Sequence, residues 1–543
     1  MKIGIYMAYG PQTVLAREGL GRYIGNLIKG FVGSGHQVTI ACPQWSLDAI
    51  DDLFQEFQID ANEVDFIVSN KVPVLWRLYE GRYKKRHPKR KLRYKILHSF
   101  TDLMQLAAAW LISITSMIFF ALVVLVAALV GLLLLPAAIL MILLLYTAKF
   151  VRAVLHKGSM SVKEIMQKIV NRFLIVSSAK KKDLHVFLTS KRDGIVNKDL
   201  TDKVNLAEER NVWFVPSIFW TEVEDIKGTK VLCAPDLVTE DFPALFADVD
   251  GSVSSTRRCR QLLKNERYFV TYCDYTKRNL MLEKYGKRDR QVVVIPHINN
   301  DMYEYIEISK ELCKKLNSEK NFSFAYAQSM VTNARYRNCS VDAQYISSLN
   351  MKGMRFLFYA SQWRPHKNMI TLVKAYEYLL RKRHWNIKLI LTATLPGLPV
   401  WEYIRNKRLE YDVLSFPNLS AQELAAFYRC ADLVVNPTLY EGGFPFTFGE
   451  GMSVGTPSVM SDIPQVREIV VPFGLEKDML FDPYDWKSMA DKVEYALQNR
   501  DALYQKELSL YRELEKRTGS VVAEEYVHAF EYFIEQDKLA QKG

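Results

Sequence analysis

Two basic residues three apart, Arg364 and Lys367 in the stretch SQWRPHKN, stand where a strand-like run gives way to a helical one. Cations at the top of a strand and at the start of a helix can face one pair of phosphates and meet negative charge that grows as a bond breaks. A second stretch, NPTLYEGGFPFTFGEGMSVGTPSVMS, opens with a strand end and a loop carrying Glu441, Gly442 and Gly443. A helix then begins near Phe446, with Glu450 in its early part. Glycines ahead of a helix let backbone amides approach an anion, and the helix dipole favours negative charge there. The same argument applies to GLGRYIG, where Gly19 and Gly21 open the first helix of the chain, although close helix packing explains those glycines equally well.

A dinucleotide-binding reading of GLGRYIG fails, because the third glycine of G-x-G-x-x-G is replaced by Ile24 and the second strand ends in ACPQ with no acid for a ribose diol. A pair of aspartates, Asp248 and Asp250 in FADVDGS, has the spacing of a metal-binding D-x-D, but lies in a polar loop far from the glycine-rich stretches, so no metal is expected. His297, in IPHI, falls at a strand end facing the cleft and suits a structural role as well as a ligand contact.

These residues need a scaffold that brings strand ends together. Short apolar runs alternate with amphipathic helical ones, the pattern of parallel α/β sheets. KIGIYMA, HQVTIACP, NVWFVPS, KVLCAP, YFVTYC and QVVVIPH read as strands of a first lobe. MRFLFYAS, IKLILTAT and DLVVNPT read as strands of a second. The fold class is therefore α/β, with two Rossmann-like doubly wound lobes and a ligand cleft between them. The first lobe is expected over 1–102 and 149–300, an irregular interlobe region over 301–350, the second lobe over 351–515 and a C-terminal helix over 516–543.

The interruption at 103–148 is of another kind. These 46 residues contain no charge, and as one helix they would measure about 69 Å against a hydrocarbon core of about 30 Å. Gly131 and Pro136 lie in the middle, and basic residues flank both ends, which places both ends on the cytoplasmic side. A helical hairpin follows, either transmembrane or re-entrant, its tip being wholly apolar. The run RYKKRHPKRKLRYK, Arg82 to Lys95, suits an anionic membrane surface. The net charge of +12 comes with no nucleic-acid recognition motif, so membrane surface is the expected partner. The seven cysteines are scattered, odd in number and too far apart for zinc pairs, as in a reducing compartment. The first residues are too short for a signal-peptide core, so the expected location is the inner or cytoplasmic membrane with the lobes in the cytoplasm.

The order of SQWRPHKN, APDLVTEDFP, YTKRNLMLEKYG before VVVIPH, and the stretch from Asn436 to Val470 resembles the GT4 glycosyltransferases, retaining enzymes of GT-B fold that take sugars from nucleotide sugars. The resemblance covers most of the chain apart from the hairpin. It implies that Arg364 and Lys367 meet the diphosphate, with Gly19, Gly21, Gly442, Gly443 and Phe444 also at the donor. It implies that Glu450 accepts hydrogen bonds from the ribose hydroxyls and that Glu441 holds hydroxyls of the transferred sugar. It also implies retention by front-face attack, in which a leaving phosphate oxygen takes the acceptor proton.

Three departures stand out. Eight residues, rather than seven, separate Glu441 from Glu450; Pro235 occupies the place of a sugar-contacting histidine before Asp236; and Gln362 replaces an arginine five residues before Lys367. Asp236 and His297 are retained as sugar or acceptor contacts. The implied reaction is hexose transfer from a GDP-mannose or UDP-hexose type donor to a lipid-linked glycan or glycolipid, in cell-surface polysaccharide or glycolipid synthesis. The alternatives are a nucleotide-sugar epimerase of the same fold and a catalytically silent membrane scaffold.

Overall fold

The computed structural model describes residues 1–71 (apart from 12, 14 and 16–18), 73, 116, 119, 121–123, 125–126, and 188–542 apart from 208–209, 248–251, 309–310, 313–317 and 334–342. Most of the apolar run 103–148, the basic run Arg82 to Lys95, and Asp248 and Asp250 lie outside the described residues. Among the described residues no helix is long and apolar enough to cross a membrane.

The first lobe holds a seven-stranded sheet in the order β3-β2-β1-β4-β5-β6-β7, in which every pairing is parallel. Its strands are β1 (Lys2–Tyr6), β2 (Gln37–Pro43), β3 (Val64–Ser69), β4 (Val212–Val215), β5 (Lys230–Cys233), β6 (Tyr268–Thr271) and β7 (Val292–Val294). The second lobe holds six parallel strands in the order β10-β9-β8-β11-β12-β13. These are β8 (Phe356–Tyr359), β9 (Lys388–Leu391), β10 (Val413–Ser415), β11 (Leu433–Asn436), β12 (Ser458–Ser461) and β13 (Leu480–Phe481). Most of the strands are buried throughout, and their β-branched and aromatic runs suit a sheet covered on both faces. In each lobe the strand order reverses once, between β1 and β4 and between β8 and β11. Such switch points open a crevice at the carboxyl ends of the strands.

Seven helices matter to the site: α1 (Gly19–Gly33), α2 (Ser252–Asn265), α3 (Glu319–Thr332), α4 (Met369–Arg381), α5 (Ala421–Cys430), α6 (Phe446–Ser453) and α7 (Gly519–Lys542). The α5 start is a full capping box: Ser420 accepts from the Glu423 amide, and Glu423 accepts from the Ser420 amide. The region 301–350 is not irregular as expected. It contains α3, capped by Ser318, whose hydroxyl accepts from the Asn321 amide. Ala327, Met330 and Val331 of α3 pack with Phe356, Phe358 and Phe427, so this segment belongs to the second lobe. Its aromatic residues are spread around the helix rather than along one stripe, which hides its period in the sequence.

The C-terminal helix α7 crosses back to the first lobe. Val522, Tyr526, Phe530 and Phe533 join the core made by β1, α1 and β4, and the Tyr23 hydroxyl donates to that of Tyr526 at 2.8 Å. At the crossing, Arg517 donates to the Pro296 carbonyl at 2.6 Å and pairs with Glu525 at 2.7 Å.

Candidate active site between the lobes

The parallel pairing of β8 with β11 sets the loops that leave their carboxyl ends side by side. The first loop ends in a 3-10 turn, Pro365–Lys367, followed by Asn368 in the left-handed region at φ 52°. Asn368 is buried, and its side-chain amide donates to the carbonyls of Pro437 at 3.0 Å and Pro483 at 2.8 Å. The Leu439 amide donates to the His366 carbonyl at 2.8 Å. The two loops are thus zipped together, and the consequence is a contact between residues 74 apart: Lys367 Nζ lies 2.6 Å from Glu441 Oε1. Lys367 is thus a cation held in place by a carboxylate. The extra residue between Glu441 and Glu450 does not carry Glu441 out of the cleft.

Glu450, on α6, is buried, 7% exposed. Its Oε2 accepts from the Tyr428 hydroxyl at 2.6 Å and its Oε1 from the Asn300 side-chain amide at 3.1 Å. Each oxygen keeps a further lone pair for a ligand hydroxyl. Around these groups runs a cleft of about 720 Å³ whose lining includes Arg22, Asn300, Arg364, Lys367, Glu441 and Glu450. Burial first, then the charges of Lys367 and Arg364, push the imidazole of His366 down to about 3, so this histidine is neutral between the two cations. Asp236 stands exposed, outside the residues that line the cleft, with protein crowding around its carboxyl. That crowding raises its carboxyl above the usual range against the lowering effects of the Val238 amide, which donates at 2.8 Å, and of Lys367.

Several expected donor contacts have other duties. A Cβ on Gly442 would lie 1.6 Å from the Pro235 carbonyl oxygen, and one on Gly443 would lie 2.8 Å from Tyr272 Cβ, so these glycines let the β11 loop seat against the first lobe. Neither is among the residues lining the cleft. Phe444 turns into the second-lobe core against Phe448, with ring centroids 5.3 Å apart, because its side chain is the apolar plug of that loop. His297 contacts the Phe444 carbonyl through Nε2, stacks on Phe446 at 3.9 Å and is held below its usual range chiefly by burial. It bridges the two lobes. Gly21 is required by its own approach loop, since a Cβ there would lie 2.0 Å from the Leu15 carbonyl oxygen, and Gly19 begins α1 without lining the cleft.

Sequence reasoning passed over Arg22, Asn300 and Tyr428. Arg22 was legible as a cation in the first turn of the helix after β1. Asn300 and Tyr428 carried no signal, for their distance from Glu450 is a tertiary fact. The seam is completed by Glu468, whose carboxylate accepts from the amides of Asp274 at 3.0 Å and Tyr275 at 2.5 Å across the lobes. Among the described residues, no group of three His, Cys, Asp or Glu side chains is placed to hold a metal ion.

Residues 343–516 match the family model described as "Glycosyl transferases group 1". They form a glycosyltransferase domain. The glycosyltransferase domain accounts for the second lobe, and the donor-site candidates Arg364, Lys367, Glu441 and Glu450 all lie within it. The chain is 26% identical over 147 residues to O-antigen chain mannosyltransferase B of Escherichia coli, covering 26% of this chain and 37% of that protein, so it spans well under half the length of this curated relative. Across both lobes, the sucrose-phosphate synthase of Thermosynechococcus elongatus superimposes with a TM-score of 0.52 at 12% identity, over 98% of each chain. A glycosyltransferase of Rickettsia africae superimposes with a TM-score of 0.49 at 11% identity, again over 98% of each chain. The likeness to the synthase is one of fold, the two-lobed GT-B architecture, in which the glycosyltransferase domain faces a first lobe across the cleft.

Proposed function

We propose that the protein is a membrane-associated, retaining hexosyltransferase that moves a sugar from a nucleotide sugar to a lipid-linked glycan or glycolipid at the cytoplasmic leaflet, in the synthesis of a cell-surface polysaccharide or glycolipid. The observation that carries this reading is the convergence of two cations, Arg364 and Lys367, with two carboxylates, Glu441 and Glu450, in one interlobe cleft. The cations and Arg22 meet the diphosphate, whose charge grows as the sugar leaves. Glu450 accepts from the ribose hydroxyls, and Glu441 from those of the sugar. Asp236 reaches the sugar or the acceptor from the first lobe. The protein supplies position and charge, and the leaving phosphate oxygen takes the acceptor proton. Similarity to a mannosyltransferase favours GDP-mannose as the first donor to try. The run 103–148 forms a membrane hairpin and, with Arg82 to Lys95, brings the first lobe to the bilayer. Catalysis is proposed to need no metal.

The test is a panel of nucleotide sugars with native membranes as acceptor, in buffer with EDTA. One donor should transfer its sugar with retained anomeric configuration. Lys367→Ala and Glu450→Gln should each lower kcat/KM by roughly 100-fold or more while the chain remains folded, and full melting curves report how much of the loss is structural. Full turnover by either variant would overturn the site assignment, and epimerised donor in the absence of acceptor would overturn the transferase reading.

A further inference from the structure

Outside the donor cleft the first lobe carries a groove of about 560 Å³ between α2 and the loop that follows β5. Its loop wall is apolar, with Pro243, Phe246 and Ala247, and Val253 stands at the start of the helical wall, 66% exposed. Along that helical wall, Arg257, Arg260 and Lys264 follow one another on successive turns, so three cations line one side of an apolar trough. Arg260 is spoken for by Glu240, 2.7 Å away, a carboxylate that Lys284 also approaches at 2.6 Å. Arg257 and Lys264 form no ion pair among the described residues.

A run of cations on an exposed helix is ordinary when it faces water. Here the same side chains border an apolar surface that a polar sugar would leave unsatisfied, while a hydrocarbon chain would be held by it. The charge complementarity is with phosphate. The inner wall also touches the donor side: the Phe246 ring lies 5.7 Å from that of His366, the residue before Lys367. An occupant of the groove is therefore next to the transfer site rather than on a remote face.

We propose that this groove binds the lipid end of the acceptor, an apolar chain bearing a phosphate or diphosphate, with the chain along Phe246 and Val253 and the phosphate at Arg257 and Lys264. The proposal rests on the lipid-linked acceptor put forward above and names the surface that reads it.

Farnesyl diphosphate is the probe, titrated against the full chain in nonionic detergent beside farnesol, inorganic diphosphate and phosphatidylcholine vesicles with or without phosphatidylglycerol. Farnesyl diphosphate should bind about tenfold tighter than farnesol or diphosphate alone. Arg257→Glu with Lys264→Glu should weaken it about tenfold or more. Val253→Asp, at an exposed site that folding does not depend on, should weaken it as well. The same binding should survive Lys367→Ala, and binding of GDP or UDP should be unchanged in the groove variants, which also reports that they fold. Arg257→Gln with Lys264→Gln serves if charge reversal impairs folding. Unchanged affinity in the charge variants, loss of binding in Lys367→Ala, or equal competition by phosphatidylglycerol vesicles would each overturn the groove assignment. Failure of the wild type to bind any nucleotide would instead sink the transferase reading and leave the farnesyl diphosphate result to stand by itself.

Discussion

Both oxygens of Glu450 are taken by protein donors, Tyr428 at 2.6 Å and Asn300 at 3.1 Å, and this is what a buried carboxylate needs to stay in place. Removing one donor leaves the carboxylate under-satisfied, at a cost of about 1–3 kcal/mol. Tyr428→Phe should therefore raise the KM for donor about tenfold, with a smaller change in kcat, and a donor titration with unchanged KM would contradict the positioning role. A second buried carboxylate, Glu507, accepts from the Ser458 amide at 3.1 Å, and burial raises it well above its ordinary value of 4.5. Since the folded chain holds this proton more tightly than the unfolded one, its contribution is full below about 4.5 and is lost as pH rises through the folded value. Glu507→Gln should accordingly melt about 2–4 °C higher than the wild type at pH 8 and no higher near pH 4.5. Equal melting at both values would show that the carboxylate costs nothing.

At the level of the element, the loop after β11 is where two demands meet. It holds Glu441 against Lys367 from within its own lobe, and it presses Gly442 against the Pro235 carbonyl of the other. With a Cβ 1.6 Å from that oxygen, Gly442→Ala must push the loop away and move Glu441 with it. Misplacement of about 1 Å costs on the order of 100-fold in rate. Transfer by Gly442→Ala should fall by that order while nucleotide affinity changes less, and wild-type turnover would mean that the lobes need not seat so closely. Pro235, which departs from the family pattern, is thus the surface on which the glycine lands.

For the whole molecule, the placement of the apolar run is decisive. In sequence it falls between β3 at the edge of the first sheet and β4 beside β1, so the described strands keep their doubly wound order across the interruption. A helix over 188–206 rejoins the core through Leu200 and Val204. The two lobes are also tied by α7, whose Phe530 is fully buried between Phe31 and Phe214 of the first lobe. Phe530→Ala should cost about 3–5 kcal/mol. In a two-lobed chain, the loss should appear as one unfolding transition moved to lower denaturant, that of the first lobe. A shift of the other transition alone would place the helix with the wrong partner.

Most strands of both lobes, the helix starts, and the cations and carboxylates of the cleft were legible in the sequence, because each rests on local pattern: apolar runs, glycine before a helix, charge at a strand end. β3, β10, β13 and α3 were not: β3 alternates weakly at a sheet edge, β10 and β13 are only three and two residues long, and α3 spreads its aromatic residues around its axis. Nor could sequence separate Gly442 and Gly443 at a lobe seam from glycines at a phosphate, or see His297 as a bridge, since a glycine's neighbour and a histidine's acceptor lie on other elements. By itself the sequence determined two parallel α/β lobes, an apolar interruption in the first, and which charged residues were available for a diphosphate and its sugar. Only the tertiary structure decided that Lys367 meets Glu441, that Tyr428 and Asn300 hold Glu450, and that the last helix returns to the first lobe. These are contacts between segments from 22 to several hundred residues apart, and they exist only once the sheets have set their strand ends side by side.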